Sequence, residues 1–135
     1  MTKDALDAFE DVKKKKFHYV VFEVNPGNEV VVLKKADRAD AKDGFLLYDK
    51  VTDEAKSHKE PRFVVFDYHF KSKDDRPQEK ISFLFWCPNN AAVKLKMRYA
   101  SGAEEVKKKF SITKAFQATE PSELAEENIR SKFEG

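Results

Sequence analysis

Residues 91–100 contain the side chains of this chain best suited to bind another molecule, because lysines there alternate with apolar residues. Pro88 and two asparagines precede the segment, and Ser101 and Gly102 follow it, which predicts a helix with a start and a stop. At about 100° per residue the apolar side chains spread over roughly 200°, twice the stripe that one packed face needs. The surplus predicts that Val93 and Met97 face outward. A helix buried on two sides, with lysines that extend to solvent, is the alternative. The residues expected to pack inward are Ala92, Leu95 and Tyr99.

Catalytic groups, in contrast, form no recognisable motif. The histidines are far apart in sequence, and neither a phosphate-binding glycine loop nor a nucleophile elbow is present. Cys87 ends a hydrophobic run before a proline and is expected to be a small buried hydrophobic residue. We therefore expect no enzyme, no metal site and no cofactor.

The binding segment lies within a longer motif, Trp-Cys-Pro followed by KLKMRYAS and a lysine-rich run. This motif resembles the long-helix signature of the actin-depolymerizing factor/cofilin family. The resemblance continues through FHYVVFEV, PRFVVFDYHF and QATEPSEL, so it covers nearly the whole chain. It implies one actin-binding domain, an ADF-homology domain, over residues 1–135. Neighbouring branches of the same fold, the coactosin-like and glia-maturation-factor-like proteins, lack the Lys-x-Lys-Met core.

The resemblance implies a site for actin monomers on the long helix and at the N-terminus. The chemistry suits this role, because methionine is an adaptable apolar side chain and lysines pair with carboxylates. The family's phosphorylated N-terminal serine is missing, so that regulation is not expected. Thr2 and Lys3 are the nearest substitutes. The predicted monomer-binding residues are Val93, Lys94, Lys96, Met97, Thr2 and Lys3.

A second site, used only on filaments, is implied for the strand before Trp86 and for the C-terminal helix. Here the chain departs from the family pattern, because Gln78 stands where a basic residue is usual. Monomer binding is therefore expected to be stronger than filament binding, with weak severing. The predicted filament-binding residues are Gln78, Lys80, Arg130 and Lys132.

Three groups of basic residues are candidates for binding lipids or for nuclear import. The family binds phosphoinositides, for which Lys94, Lys96 and Arg98 are the expected residues, with residues 107–109 as further candidates. The lysines at 13–16 suit a solvated helix end, and also a nuclear-import or lipid-binding patch. A basic lipid- or nucleic-acid-binding module is the alternative from a different class, and it would need residues 13–16 and 107–109 on one face with exposed aromatic rings.

The elements that position these residues follow from hydrophobic periodicity. Strands predicted to be apolar on both faces require helices on both faces. The expected fold is α+β, with three α/β/α layers and a central mixed sheet of about five strands. The predicted strands are residues 17–24, 28–34, 62–70, 80–86 and 114–118, and the predicted helices are residues 4–14, 45–55, 91–100 and a last one opened by Glu120 and Pro121.

Composition agrees with a protein-binding domain. The 135 residues include 37% charged residues but have a net charge of only +2, which gives no global attraction to nucleic acid. One cysteine suits a reducing compartment, and no signal-peptide pattern or membrane-spanning run is present. We expect a monomer in the cytoplasm, associated with the cytoskeleton, with the nucleus as a second location.

Overall fold

The structure, a computed structural model, describes residues 2–14, 16–37, 47–71, 74–112, 114–125 and 129. Its elements follow the predicted order. They are α1 (Lys3–Lys13), β1 (Phe17–Val24), β2 (Val30–Asp37), α2 (Leu47–Lys56), β3 (Arg62–Lys71), β4 (Pro77–Trp86), α3 (Val93–Phe110), β5 (Lys114–Ala118) and a 3-10 turn (Pro121–Leu124).

The five strands form one mixed sheet in the order β2-β1-β3-β4-β5. All neighbours are antiparallel except β4 and β5, which are parallel because α3 connects them as a crossover. Along β3, Phe63 and Val65 face one side, and Val64, Phe66 and Tyr68 face the other. This alternation confirms the predicted two-sided sheet.

Helices cover both faces of the sheet. On one face α1 contributes Ala5, Ala8, Phe9 and Val12, and α3 contributes Tyr99, Ala103 and Val106. On the other face α2 contributes Val51 and Ala55, joined by Leu124 and Ile129 near the C-terminus. The predicted α+β fold with three layers is confirmed. Within the described residues, no helix combines the length and apolar character that crossing a membrane would require.

The predicted end of the long helix is wrong. Instead of stopping at Ser101 and Gly102, α3 continues to Phe110 and ends where Ser111 adopts a left-handed conformation, φ 53°. Gly102 serves close packing: a Cβ there would lie 3.0 Å from Val24 Cγ2. The helix also starts later than predicted, and Ala92, expected to pack inward, is its exposed N-cap.

Other boundaries differ by a few residues. The hairpin between β1 and β2 is present, but the positive φ of 65° falls on Asn28, so β2 begins at Val30 rather than at residue 28. Strand β4 begins at Pro77, three residues early. The last helix, predicted to open at Glu120 and Pro121, is instead a 3-10 turn that ends at Leu124. Ala125 after it is exposed, and Ile129 is fully buried.

Candidate functional site

Two large apolar side chains project from the first turns of α3. Val93 and Met97 are each 68% exposed, whereas Tyr99 on the opposite side of the helix is 2% exposed. Their spacing of four residues places them one above the other on one face. The two-sided buried helix is thereby ruled out, and the predicted outward position of both side chains is confirmed.

The helix that carries this pair is held firmly to the sheet. The Tyr99 hydroxyl accepts a hydrogen bond from the Arg62 guanidinium at 3.2 Å, and the Tyr99 ring meets Phe63 edge-on at 5.3 Å. At the far end of α3, Phe110 stacks on Phe9 of α1 with ring centroids 3.5 Å apart. These contacts hold the middle and the C-terminal end of α3 on the body of the protein, and so set the direction in which Val93 and Met97 project.

The three basic residues of these turns do not share one side of the helix. Lys94 is exposed and lies about 60° around the helix from Met97, whereas Lys96 lies about 60° from the buried Tyr99. The Lys96 ammonium donates to the Asn89 carbonyl at 2.7 Å. Arg98 is half-buried, one turn from Lys94. The predicted phosphoinositide residues therefore do not form one patch, because Lys96 lies on the other side of the helix from Lys94 and Arg98.

Cys87 is buried beside Lys96, as predicted for a small hydrophobic residue. Burial raises the pKa of the Cys87 thiol, and the Lys96 charge opposes this shift only in part. The thiol is therefore protonated at neutral pH and poorly suited to nucleophilic chemistry.

Thr2 and Lys3 lie at the same end of the sheet as the start of α3. Thr2 caps α1, its hydroxyl oxygen accepting from the Ala5 N–H at 3.3 Å, and its own N–H donates to the Val30 carbonyl at 3.2 Å. Val30 pairs with Val24, which lies under Gly102 of α3. Lys3 is exposed beside the cap. Thr2 thus lies at the end of the sheet where β4 leads toward α3, beside the hairpin that packs under the middle of that helix.

The predicted filament residues lie elsewhere. Lys80 is half-buried near the start of β4, six residues and so roughly 20 Å from Trp86, where the chain turns toward α3. Gln78 also belongs to β4, opposite Phe70 of β3. Arg130 and Lys132 lie outside the described residues. Gln78 and Lys80 therefore lie toward the end of β4 that is opposite to the turn into α3.

The helices α1 and α3 contact each other near the ends that carry their lysines. The Phe9–Phe110 stack joins the two helices, and the Lys13 ammonium lies 5.5 Å from the Phe9 ring centroid. Lys16 and Lys107 have acidic neighbours, Asp11 at 3.7 Å and Glu104 at 2.8 Å. The aromatic rings here are partly buried against the core rather than free to stack on bases. At the described ends of α1 and α3, no ring is therefore exposed in the way that stacking on a base requires.

One polar cluster was not foreseen. Glu54 of α2 contacts Lys34 of β2 at 2.6 Å and His58 at 2.9 Å, and the Tyr19 hydroxyl donates to it at 3.4 Å. Burial would raise the pKa of Glu54, but the hydrogen bonds and charges of Lys34 and His58 outweigh burial and lower it. The hydrogen bond and charge of Glu54 raise the pKa of Lys34. No local motif signals this cluster, because its members come from separate elements.

Among the described residues no group of three or more His, Cys, Asp or Glu side chains is placed to hold a metal ion. The candidate site is instead a ridge on α3 that consists of two exposed apolar side chains and an adjacent exposed lysine.

Comparison with known proteins agrees with this geometry. The family model described as cofilin/tropomyosin-type actin-binding protein matches residues 1–134. An actin-depolymerizing factor from Brassica napus is 32% identical over 125 residues, covering 92% of this chain and 93% of the relative. The crystal structure of Streptomyces griseoflavus cofilin superposes with a TM-score of 0.79 at 28% identity, covering 97% of this chain and 93% of that one. Human coactosin-like protein shares the fold alone, with a TM-score of 0.71 at 15% identity over 96% of this chain and 92% of that one. The chain therefore belongs to the actin-depolymerizing factor/cofilin family of actin-binding proteins.

Proposed function

We propose that this family member binds actin monomers through Val93, Lys94 and Met97, a group that we call the α3 ridge, and thereby promotes filament turnover. The observation that carries the proposal is the 68% exposure of both apolar side chains on a helix that is fixed to the sheet. Exposed apolar surface of this kind gains free energy when a partner covers it. Thr2 and Lys3 are proposed to add contacts from the N-terminus, and Lys96 belongs to the proposed site from the side of α3 that faces the protein.

The size of the effect follows from the exposed area. Burying a whole valine or methionine side chain contributes about 1.5–3 kcal/mol, so burying the exposed two-thirds contributes roughly 1–2 kcal/mol for each residue. The double variant Val93→Ala/Met97→Ala should then lose about 2–4 kcal/mol of binding free energy, or about 30- to 700-fold in affinity for actin monomers.

A titration of fluorescently labelled actin monomers tests this expectation. Leu33→Ala is the matched control, because Leu33 of β2 is another exposed large apolar residue, at 41%, away from α3. The control should bind as tightly as the wild type, and both variants should unfold at nearly the wild-type temperature. A double variant that binds with wild-type affinity would refute the proposed ridge.

Filament binding is proposed to be weaker than monomer binding, and severing weak. The support is chemical: Gln78 is neutral where the family pattern has a basic residue, and Lys80 is half-buried. A pelleting assay at physiological salt tests this proposal. Strong pelleting without monomer binding would instead favour a coactosin-like role.

Phosphoinositides are proposed as competing ligands of the same end of the molecule. Lys94 and Arg98 are neighbours on one side of α3 and could attract anionic headgroups together, with Lys96 contributing from the other side. Competition between phosphoinositide vesicles and actin monomers would support this role.

A further inference from the structure

We infer that Lys96 is a positioning residue, which holds the loop of residues 87–92 against α3, and that Lys94 makes the charged contact with actin. This inference rests on the proposed function, because it divides the work of the proposed site between two lysines. The two residues look equivalent in sequence, as both belong to KLKM. Their surroundings in the structure are different.

Lys96 is turned toward its own protein. Its ammonium donates to the Asn89 carbonyl at 2.7 Å, and the residue is half-buried. The side chain also lines an open pocket of about 300 Å³ between α3 and β5, whose other lining residues are Phe85, Cys87, Asn89, Ala100, Gln117 and Thr119. An ammonium committed to this carbonyl is not free to pair with a partner's carboxylate unless it first gives up the internal bond.

Asn89, the acceptor, connects the loop of residues 87–92 both to α3 and to residues 119–120 after β5. Its N–H donates to the Thr119 carbonyl at 3.3 Å, and its side-chain amide donates to Glu120 Oε1 at 3.1 Å. With the Lys96 bond, the backbone N–H, the backbone carbonyl and the side-chain NH2 of Asn89 are all engaged. Lys96 thereby links α3 to the loop and, through the loop, to the segment that follows β5.

The start of α3 has few other restraints. Its N-cap, Ala92, offers no side-chain hydrogen bond to the first turn. The turn before it is closed by the Ala91 N–H donating to the Pro88 carbonyl at 3.0 Å. The bond from the Lys96 ammonium to the Asn89 carbonyl spans this turn. It therefore fixes the direction in which the chain enters α3, and so the position of Val93.

Lys94 has the opposite character. It is exposed and lies beside Met97 on the ridge. A charge at the rim of an interface changes the salt dependence of binding, whereas a residue that only shapes the interface changes affinity without changing that dependence. The salt dependence of binding therefore distinguishes a lysine that contacts actin from one that only positions the site.

The experiment compares Lys94→Met, Lys96→Met and Lys96→Arg in the full chain, with actin-monomer affinity measured at several salt concentrations. We expect Lys94→Met to weaken binding at low salt and to flatten the salt dependence. Lys96→Met should weaken binding about 3- to 10-fold and leave the salt dependence as in the wild type. Lys96→Arg, which keeps a donor that can reach the Asn89 carbonyl, should restore most of the affinity.

Hydrogen exchange of the free protein provides the second measurement. The Ala91 amide should exchange several-fold faster in Lys96→Met than in the wild type, and should be unchanged in Lys94→Met. A flattened salt dependence in Lys96→Met, or unchanged exchange at Ala91, would overturn the inference. If the wild type itself did not bind actin monomers, the proposed function would fail. The exchange result would still show whether the Lys96–Asn89 bond holds the loop.

Discussion

The close packing of α3 against the sheet depends on Gly102, and the substitution Gly102→Ala tests this directly. A Cβ at this position would lie 3.0 Å from Val24 Cγ2 and 3.2 and 3.3 Å from two ring carbons of Phe63. Favourable carbon–carbon contacts are about 3.5–4.0 Å, so the methyl group overlaps both neighbours. The side chain of Val24 or Phe63, or the helix itself, must therefore shift by a few tenths of an ångström.

Two opposing terms decide the outcome. Alanine favours a helix interior over glycine by about 1 kcal/mol, whereas overpacking a filled core costs about 1–3 kcal/mol. Phe63 has little room to yield, because its ring meets Phe83, Phe85 and Tyr99, each with centroids 5.3 Å away. We therefore expect overpacking to win, with a net loss of roughly 1 kcal/mol in the free energy of unfolding.

Thermal unfolding followed by circular dichroism is the assay. For a chain of this size, 1 kcal/mol corresponds to about 3–5 °C. Ser101→Ala is the control, since Ser101 is exposed in the same turn and its replacement gains helix propensity without new contacts. Should Gly102→Ala melt at or above the temperature of Ser101→Ala, the close approach of α3 to β1 and β3 would not be limiting, and the packing argument would be refuted.

Two further predictions concern the acidic cluster and the filament site. Glu54 has a lowered pKa in the folded state, so it stabilises the fold above its unfolded pKa of about 4.3, and this contribution is lost as the pH falls through the folded pKa. Glu54→Gln should lower the free energy of unfolding by roughly 1–3 kcal/mol at neutral pH and flatten its decline below about pH 5; an unchanged acid profile in denaturant titrations would contradict this. Gln78→Lys should increase co-sedimentation with filaments several-fold and leave monomer binding unchanged, and Lys80→Gln should have the opposite effect on pelleting. If Gln78→Lys pelleted like the wild type, the neutral residue would not be what limits filament binding.

Much of the fold was predictable because it depends on local periodicity. The alternation in β3 assigns Phe63 and Val65 to one face and Val64 to the other, whichever strands lie beside them. The surplus apolar arc of α3 likewise predicted an exposed side, with burial on two sides as the alternative, and Val93 and Met97 are exposed. Both patterns are properties of neighbours in sequence.

The errors occurred where distant segments meet. Gly102 resembled a helix stop by itself, but the nearness of Val24 and Phe63 makes it a site of close packing inside a longer helix. Lys94 and Lys96 were equivalent in the motif until the tertiary structure placed the Asn89 carbonyl beside only one of them. Within β3 and α3 the sequence by itself determined which residues face inward or outward, because that depends on backbone geometry. Tertiary structure alone decided which side chains find partners, because hydrogen bonds and packing depend on atoms brought together from separate parts of the chain.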